Sequence, residues 1–382
     1  MRIAHVTDCY LPRMGGIERQ VHGLATAQLA AGHQVTVITS VPEFGTPEPI
    51  PQPDGLTVLR PAAQPDGQPG SIRYLASLRA RQVAQGYDLV HVHASTFSPL
   101  AYLAAGAASR SGVPTVATLH SLWSYATPIF RGFDAALDWR AWPIAWTAVS
   151  TVAAESLSRV LRPGTEISVL ANGVRPDLWQ LPPRSREANR VTVVSVMRLA
   201  ARKRPMQLLR VLRAVRAQLP AEIELRVQII GDGPQRDSML GYLRRHSMAD
   251  WVQLVGQLDQ PAIRDRFADA DLYVSPATLE SFGIAALEAC CAGLPVLGYA
   301  GTGVSDFITD GHNGVLVRSD DQLAAELVRL ARAPAARAEL AGHPRAGADY
   351  HWDEVLATCE QVYRRAFGQW GRSVPVEAAT AP

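Results

Sequence analysis

Short β-branched runs alternate with longer stretches of helical period along most of the chain. Ile3–Thr7 reads as a strand, followed by a glycine-containing loop and a helix over Ile17–Ala31, with Gly32 where a helix C-cap glycine belongs. Val35–Thr39, Leu56–Leu59, Leu89–His93, Thr115–Leu119, Ala145–Val149 and Ile167–Leu170 read as further strands, with helices over Leu100–Ser111 and Val152–Leu161. Leu181–Arg190 is polar, contains Pro182-Pro183 and reads as a linker. The alternation then restarts, with strands at Val191–Val196, Glu224–Ile230, Val252–Leu254, Leu272–Val274, Val296–Gly298 and Val315–Val317. Helices are predicted over Pro205–Gln218, Gln235–His246, Ile284–Ala292 and Gln322–Ala331. Strands alternating with helices predict an α/β protein with parallel sheets covered on both faces. Two Rossmann-like domains are expected, residues 1–181 and 190–350, with a last helix at about 352–369 packing back on the first and a disordered tail over 371–382.

A length of 382 residues suits two domains of this size. Hydrophobic residues at 47% and charged residues at 19% fit an ordinary globular protein. The formal net charge of +2, without a long single-sign run, argues against nucleic acid as the partner. Cys9, Cys290, Cys291 and Cys359 form no CxxC pair, which speaks against zinc and a redox dithiol and for free thiols in a reducing cytosol. Asp8 cuts short the apolar run that begins at Ile3, so no secretory signal is expected. No apolar stretch reaches the roughly 18 residues of a membrane span. A cytoplasmic protein is predicted, with peripheral contact at the inner face of the plasma membrane left open.

In open α/β sheets, ligands sit beyond the carboxyl ends of the strands. Two such domains facing one another would form a cleft, and the candidate chemistry lies at those ends. Gly15 and Gly16 precede the first helix, where backbone N–H groups can meet a diphosphate; a plain turn is the alternative. His120 ends the strand Thr115–Leu119 and can present its imidazole there. His91 and His93 share one face of their strand; packing is favoured, because no third metal ligand is apparent. Arg198 and Lys203 follow the first strand of the second domain and can neutralise a departing diphosphate without a metal ion; solvated surface is the alternative. Gly231 and Gly233 lie in a tight Gly-Asp-Gly-Pro turn. Glu280 to Glu288 runs from a strand end into a helix. The amides of Phe282, Gly283 and Ile284 suit phosphate or sugar hydroxyls, and a glutamate suits a vicinal diol. A capping Glu280 and a surface Glu288 are the alternatives. Asp269-Ala270-Asp271 looks like a metal-binding DxD but begins its strand, at the wrong end, and reads as a turn. The aromatics Trp123, Tyr125, Phe130, Phe133, Trp139, Trp142 and Trp146 are divided between core, acceptor pocket and lipid interface.

Taken together, Gly15-Gly16-Ile17-Glu18, Thr118-Leu119-His120, Arg198 with Lys203, Gly231-Asp232-Gly233-Pro234 and the Glu-x7-Glu segment from Glu280 to Glu288 resemble the GT-B glycosyltransferases of family 4 over nearly the whole chain. The resemblance implies a retaining, metal-independent enzyme with no cofactor. It would move a hexose or N-acetylhexosamine from a UDP- or GDP-sugar to a small-molecule, glycan or lipid-linked acceptor. It further implies that Gly16, Arg198 and Lys203 meet the donor diphosphate, and that Glu280 with the amides after it holds sugar hydroxyls. Glu288 would hold the ribose, His120 the donor sugar, and Leu258 would lie beside the base. A nucleotide-sugar epimerase, another GT-B enzyme such as a phosphorylase, and a non-catalytic nucleotide-sugar-binding protein are the rival readings. Arg73, Arg79 and Arg81 mark a modestly basic helix for a lipid-linked acceptor.

Overall fold

The computed structural model describes residues 1–13, 15–42, 52–60, 86–123, 138–182, 189–342 and 347–375. They fall into two compact units, Met1–Gly173 with Trp352–Pro382, and Val174–His351. The first unit holds β1 (Arg2–Thr7), α1 (Gly16–Ala30), β2 (Gln34–Thr39), β3 (Thr57–Leu59), β4 (Leu89–Ala94), α2 (Pro99–Arg110), β5 (Thr115–Leu119), β6 (Ile144–Ala148), α3 (Thr151–Ser158) and β7 (Ile167–Val169). The second holds α4 (Pro176–Trp179), β8 (Arg190–Val196), α5 (Pro205–Gln218), β9 (Glu224–Ile230), α6 (Arg236–Arg245), β10 (Val252–Gly256), α7 (Gln260–Ala268), β11 (Leu272–Val274), α8 (Ile284–Cys291), β12 (Val296–Tyr299), β13 (Gly314–Val317), α9 (Asp320–Arg332) and α10 (Pro334–Gly342). The chain then returns to the first unit as α11 (Trp352–Gly368).

The first sheet runs β3-β2-β1-β4-β5-β6-β7 and the second β10-β9-β8-β11-β12-β13, with parallel pairing throughout. Both orders reverse direction once, between β1 and β4 and between β8 and β11, and such a switch point opens a crevice at the carboxyl ends of its strands. Side-chain alternation along the first sheet separates two packing layers. Ala4, Val6, Val90, Val92, Ala117 and Leu119 face α2 through Leu100, Ala101 and Ala104. Ile3, Leu89, Val116 and Ala145 join Leu24 of α1 and Val355, Cys359, Val362 and Tyr363 of α11. The Trp352 ring fills the space left by two glycines: a Cβ on Gly23 would lie 2.2 Å from it and one on Gly173 2.5 Å.

Asp8 leaves β1 and accepts the amides of Leu100 at 3.1 Å and Ala101 at 3.0 Å, so a carboxylate caps the N-terminus of α2 from another element. Asp8→Ala is expected to lose about 1–2 kcal/mol. The loss should appear as faster hydrogen exchange at the α2 amides; unchanged exchange would refute the capping role.

The unit boundary differs from the expected linker. Residues 174–182 belong to the second unit, because Trp179 of α4 is buried against Phe267 and Val174 bridges His351. Of the expected linker, residues 183–188 lie outside the described residues. The tail is also ordered further than expected: Arg372 donates to the Gly112 carbonyl at 2.9 Å and Val374 packs on the α11 layer. Residues 376–382 lie outside the described residues. Among the described residues, no helix is long and apolar enough to cross a membrane.

Candidate functional site

In the second unit, three connections end together at the β8/β11 switch point. The segment after β8 carries Arg198 and Lys203. Its backbone is sewn to the turn after β9: Met197 N donates to Ile230 O at 3.0 Å, Leu199 N to Asp232 O at 2.9 Å, and Gln235 N to Leu199 O at 2.9 Å. That contact requires glycine. Gly231 has φ +130 and a Cβ there would lie 1.9 Å from the Met197 carbonyl oxygen; at Gly233, with φ +156, the nearest atom would be the Leu199 oxygen at 2.7 Å.

The third connection follows β11. Lys203 Nζ donates to Glu280 Oε2 at 2.5 Å, joining the two loops by an ion pair between a half-buried ammonium and a nearly buried carboxylate. Arg198 is exposed in the same loop. Arg204 is used differently. One of its nitrogens donates to both oxygens of Asp320 at 2.9 and 2.8 Å, the other to Pro276 O at 3.2 Å, and its guanidinium lies 5.2 Å from the Tyr299 ring centre. The run Arg198–Arg204 therefore divides into an exposed Arg198 and Arg202, a Lys203 paired to the β11 loop, and a structural Arg204.

After Glu280 the chain enters α8 through Gly283, whose φ of +96 and 2.7 Å approach of a Cβ to Val304 exclude a side chain. The N-cap Gly283 has no side chain with which to cap α8, and the first amides of a helix have no intrahelical partner, so this end can receive an anion or hydroxyls. Glu280 is paired with Lys203 instead of capping the helix. Glu288 is not at the surface: it is 3% exposed within α8 and accepts from Gln260 Nε2 at 3.1 Å. Gln260 opens α7 two residues after half-buried Leu258. Asp269 sits at the C-terminus of α7, and Asp271 exchanges bonds of 2.8 Å with the Thr192 backbone, so this Asp-Ala-Asp run clamps β11 to β8.

In the first unit, Gly15 is the extended N-cap of α1, and the Glu18 carboxylate folds over it; a Cβ on Gly15 would lie 2.4 Å from Glu18 Oε2. Arg13 pairs with Glu18 at 3.4 Å. A carboxylate therefore already sits at the helix end where the Gly15-Gly16 loop was expected to meet a diphosphate, and a phosphate there needs Glu18 to withdraw. Met14 lies outside the described residues. His120 follows β5, buried, with Nε2 at 3.1 Å from His93 Nδ1. The third imidazole that the sequence did not reveal is His5, at 2.9 Å from His93. Trp123, Trp139 and Trp146 are buried edge to face in the α2 layer, and Trp142 stacks with Arg110, so these four belong to packing. Tyr125, Phe130, Phe133, Arg73, Arg79 and Arg81 lie outside the described residues.

Residues 14–178 match the Glycosyltransferase Family 4 model and residues 180–342 the glycosyl transferases group 1 model. A D-inositol 3-phosphate glycosyltransferase of Thermobispora bispora is 30% identical over 323 residues, 76% of this chain and 74% of that one. This chain belongs to the family 4 glycosyltransferases. A glycogen synthase of Mycobacterium tuberculosis is 28% identical over 400 residues, covering 96% of this glycosyltransferase and 95% of the relative. The GT-B fold is shared with sucrose-phosphate synthase from Thermosynechococcus elongatus at TM-score 0.75 and 22% identity, covering 96% of this chain and 99% of that one. It is also shared with Anabaena HepE solved with UDP and glucose, at TM-score 0.72 and 20% identity, covering 95% and 98%. Sequence reading of the glycosyltransferase missed Gln260 and the Arg204–Asp320–Tyr299 cluster. An Asp-Gln-Pro start at Asp259 was a helix signal for the first, but its pairing with Glu288 is a tertiary fact.

Proposed function

We propose that this glycosyltransferase moves a hexosyl or N-acetylhexosaminyl group from a UDP- or GDP-sugar to an acceptor hydroxyl, with retention and without a metal ion or cofactor. The observation that carries the reading is the Lys203–Glu280 pair beside the open N-terminus of α8, at the switch point of the second sheet. A cation, a carboxylate and the amides of a helix start suit a diphosphate joined to a polyhydroxyl ring. Lys203 and Arg198 take the diphosphate, and Glu280 with the amides of Phe282, Gly283 and Ile284 takes sugar hydroxyls. Glu288, set by Gln260, takes the ribose diol, and Leu258 lines the base. Gly231 and Gly233 hold the cation loop in register. The corresponding contacts of the first unit are Gly15, Gly16 and His120. Metal independence rests on the two side-chain cations as counter-charge for the leaving group.

In the step itself, the bond from the sugar C1 to the phosphate oxygen breaks while the acceptor oxygen bonds to C1 on the same face. The acceptor proton passes to the departing phosphate oxygen. Positioning and charge stabilisation supply the acceleration. The HepE complex with UDP and glucose supports a nucleotide-sugar donor, and the glycogen synthase and inositol 3-phosphate glycosyltransferase relatives support glycosyl transfer. The acceptor is a small molecule, a glycan or a lipid-linked headgroup, reached from the cytoplasm.

A thermal-shift panel of UDP-, GDP- and ADP-sugars tests the donor. A ligand at 100 times its Kd adds about 2.7 kcal/mol to the folded state. A UDP- or GDP-sugar is expected to raise the midpoint, and a labelled sugar to appear on an acceptor. No shift with any donor would remove the reading, and an epimerised donor without transfer would replace it.

A further inference from the structure

Beneath α1 and α11, the first sheet turns polar toward its carboxyl end. His5, His91, His93, His120, Thr118, Thr147 and Gln28 are all buried there, with Tyr363 of α11 above them. They form one continuous run of contacts. His120 Nε2 lies 3.1 Å from His93 Nδ1, and His93 Nε2 2.9 Å from His5 Nδ1. His5 Nε2 lies 2.6 Å from Gln28 Oε1, and Gln28 Nε2 2.7 Å from the Tyr363 hydroxyl. That hydroxyl lies 3.0 Å from His91 Nδ1, and His91 Nε2 2.6 Å from Thr118 Oγ1. Thr118 Oγ1 lies 2.6 Å from Thr147 Oγ1, which lies 3.1 Å from the Ala117 carbonyl oxygen.

The last member decides the direction of all the others. A carbonyl oxygen only accepts, so Thr147 donates to Ala117 and must accept from Thr118. Thr118 then accepts from His91 Nε2–H, His91 Nδ1 accepts from Tyr363, and Tyr363 accepts from the Gln28 amide. A neutral imidazole has one N–H and one lone pair, so the sense passes through each ring unchanged. His5 donates to Gln28, His93 donates to His5, and His120 donates through Nε2. Each proton in the run is used once. The reverse sense leaves one of the two threonine contacts without a hydrogen, which a buried site disfavours.

We propose that this directional chain fixes His120 as the neutral Nε2–H tautomer, and that His93, His5 and Gln28 are positioning residues for it. The proposal rests on the reading that His120 touches the donor sugar. Burial reinforces the neutral state: His5 and His120 are lowered to about 4, and His91 and His93 lie well below the ordinary value. Among the described residues, the titratable groups recorded against these rings are the other rings, Tyr363, and Cys359 behind Tyr363. The nitrogens of His5, His91 and His93 lie within 4.8 Å of one another, the spacing of a metal site. The lone pairs such an ion needs, on His5 Nδ1 and His91 Nδ1, are already taken by hydrogen bonds in this sense.

The test is long-range proton–nitrogen NMR on the full chain with labelled histidine, assigned by single replacements. His120 is expected as Nε2–H, and all four rings as neutral between pH 8 and pH 5.5. An Nδ1–H His120, a ring that titrates in that range, or stoichiometric zinc removed by chelator would overturn the proposal. His93→Phe should give a mixture of His120 tautomers and lower kcat about tenfold, with a smaller change in donor KM. His93→Gln, whose amide both accepts and donates, should restore most of both. If His93→Phe does not fold, Gln28→Leu breaks the same run between α1 and the sheet, with the same mixture expected. An unmixed His120 in the folded break variant overturns the proposal. The tautomer is read without substrate, so it fails or holds separately from the donor assignment.

Discussion

Replacing Lys203 with alanine is expected to cut turnover by roughly 10²–10³, the loss seen when a positioned charge that stabilises a developing anion is removed. The size follows from what Lys203 does in each state. Without ligand its ammonium is paired at 2.5 Å with Glu280, and the pair is partly open to solvent. Such a pair contributes about 1 kcal/mol or less to folding. On the proposed reading, the leaving diphosphate gains negative charge beside Lys203 as the glycosidic bond breaks, and the same ammonium then counts for far more. A large effect on kcat with a small effect on the unfolding midpoint is thus the expected signature. Unchanged turnover would take Lys203 out of the mechanism. Glu280→Ala separates the two loops from the other side and should weaken transfer more than folding; equal losses would make the pair a structural clamp.

Glu280 also shows where sequence reading stops. The strand ends were legible because a parallel-sheet strand is a short apolar run and its loop begins where the run ends. β5, α5, β9 and β11 coincide with the expected spans. Helices with a thin apolar stripe were not seen. α7 buries only Ile263 and Phe267, and α10 is mostly alanine and charge, so neither shows a strong helical period. The linker was misplaced for a related reason: Pro182-Pro183 is the stronger local punctuation, whereas the actual boundary at 173/174 is set by burial of Trp179 against Phe267. Partner choice was the least legible layer. Composition cannot distinguish Lys203 from Arg204, yet one reaches Glu280 and the other Asp320. His5 was within reach of a parity argument, since it pairs with His91 in register across β1 and β4, but only once the strand order is known.

Gly231→Ala is expected to be the most damaging single methyl group in the second unit. The residue has φ +130, and its Cβ would lie 1.9 Å from the Met197 carbonyl oxygen and 3.0 Å from the carbonyl carbon. These are backbone atoms, fixed by the Met197–Ile230 and Leu199–Asp232 hydrogen bonds, so no side chain can rotate away. Strained backbone and steric overlap together cost about 3 kcal/mol. For a unit of this size that lowers the midpoint by about 6–12 °C. Because the displaced strand end leads directly into Arg198 and Lys203, turnover should also fall when assayed well below the new midpoint, where the protein is folded. Gly241 supplies the control. It lies inside α6 with nothing within 4 Å of a Cβ, so Gly241→Ala should gain about 0.5–1 kcal/mol from the better helix former. Equal midpoints for the two variants would mean that the turn after β9 yields to a side chain, and that the register of the cation loop does not depend on glycine.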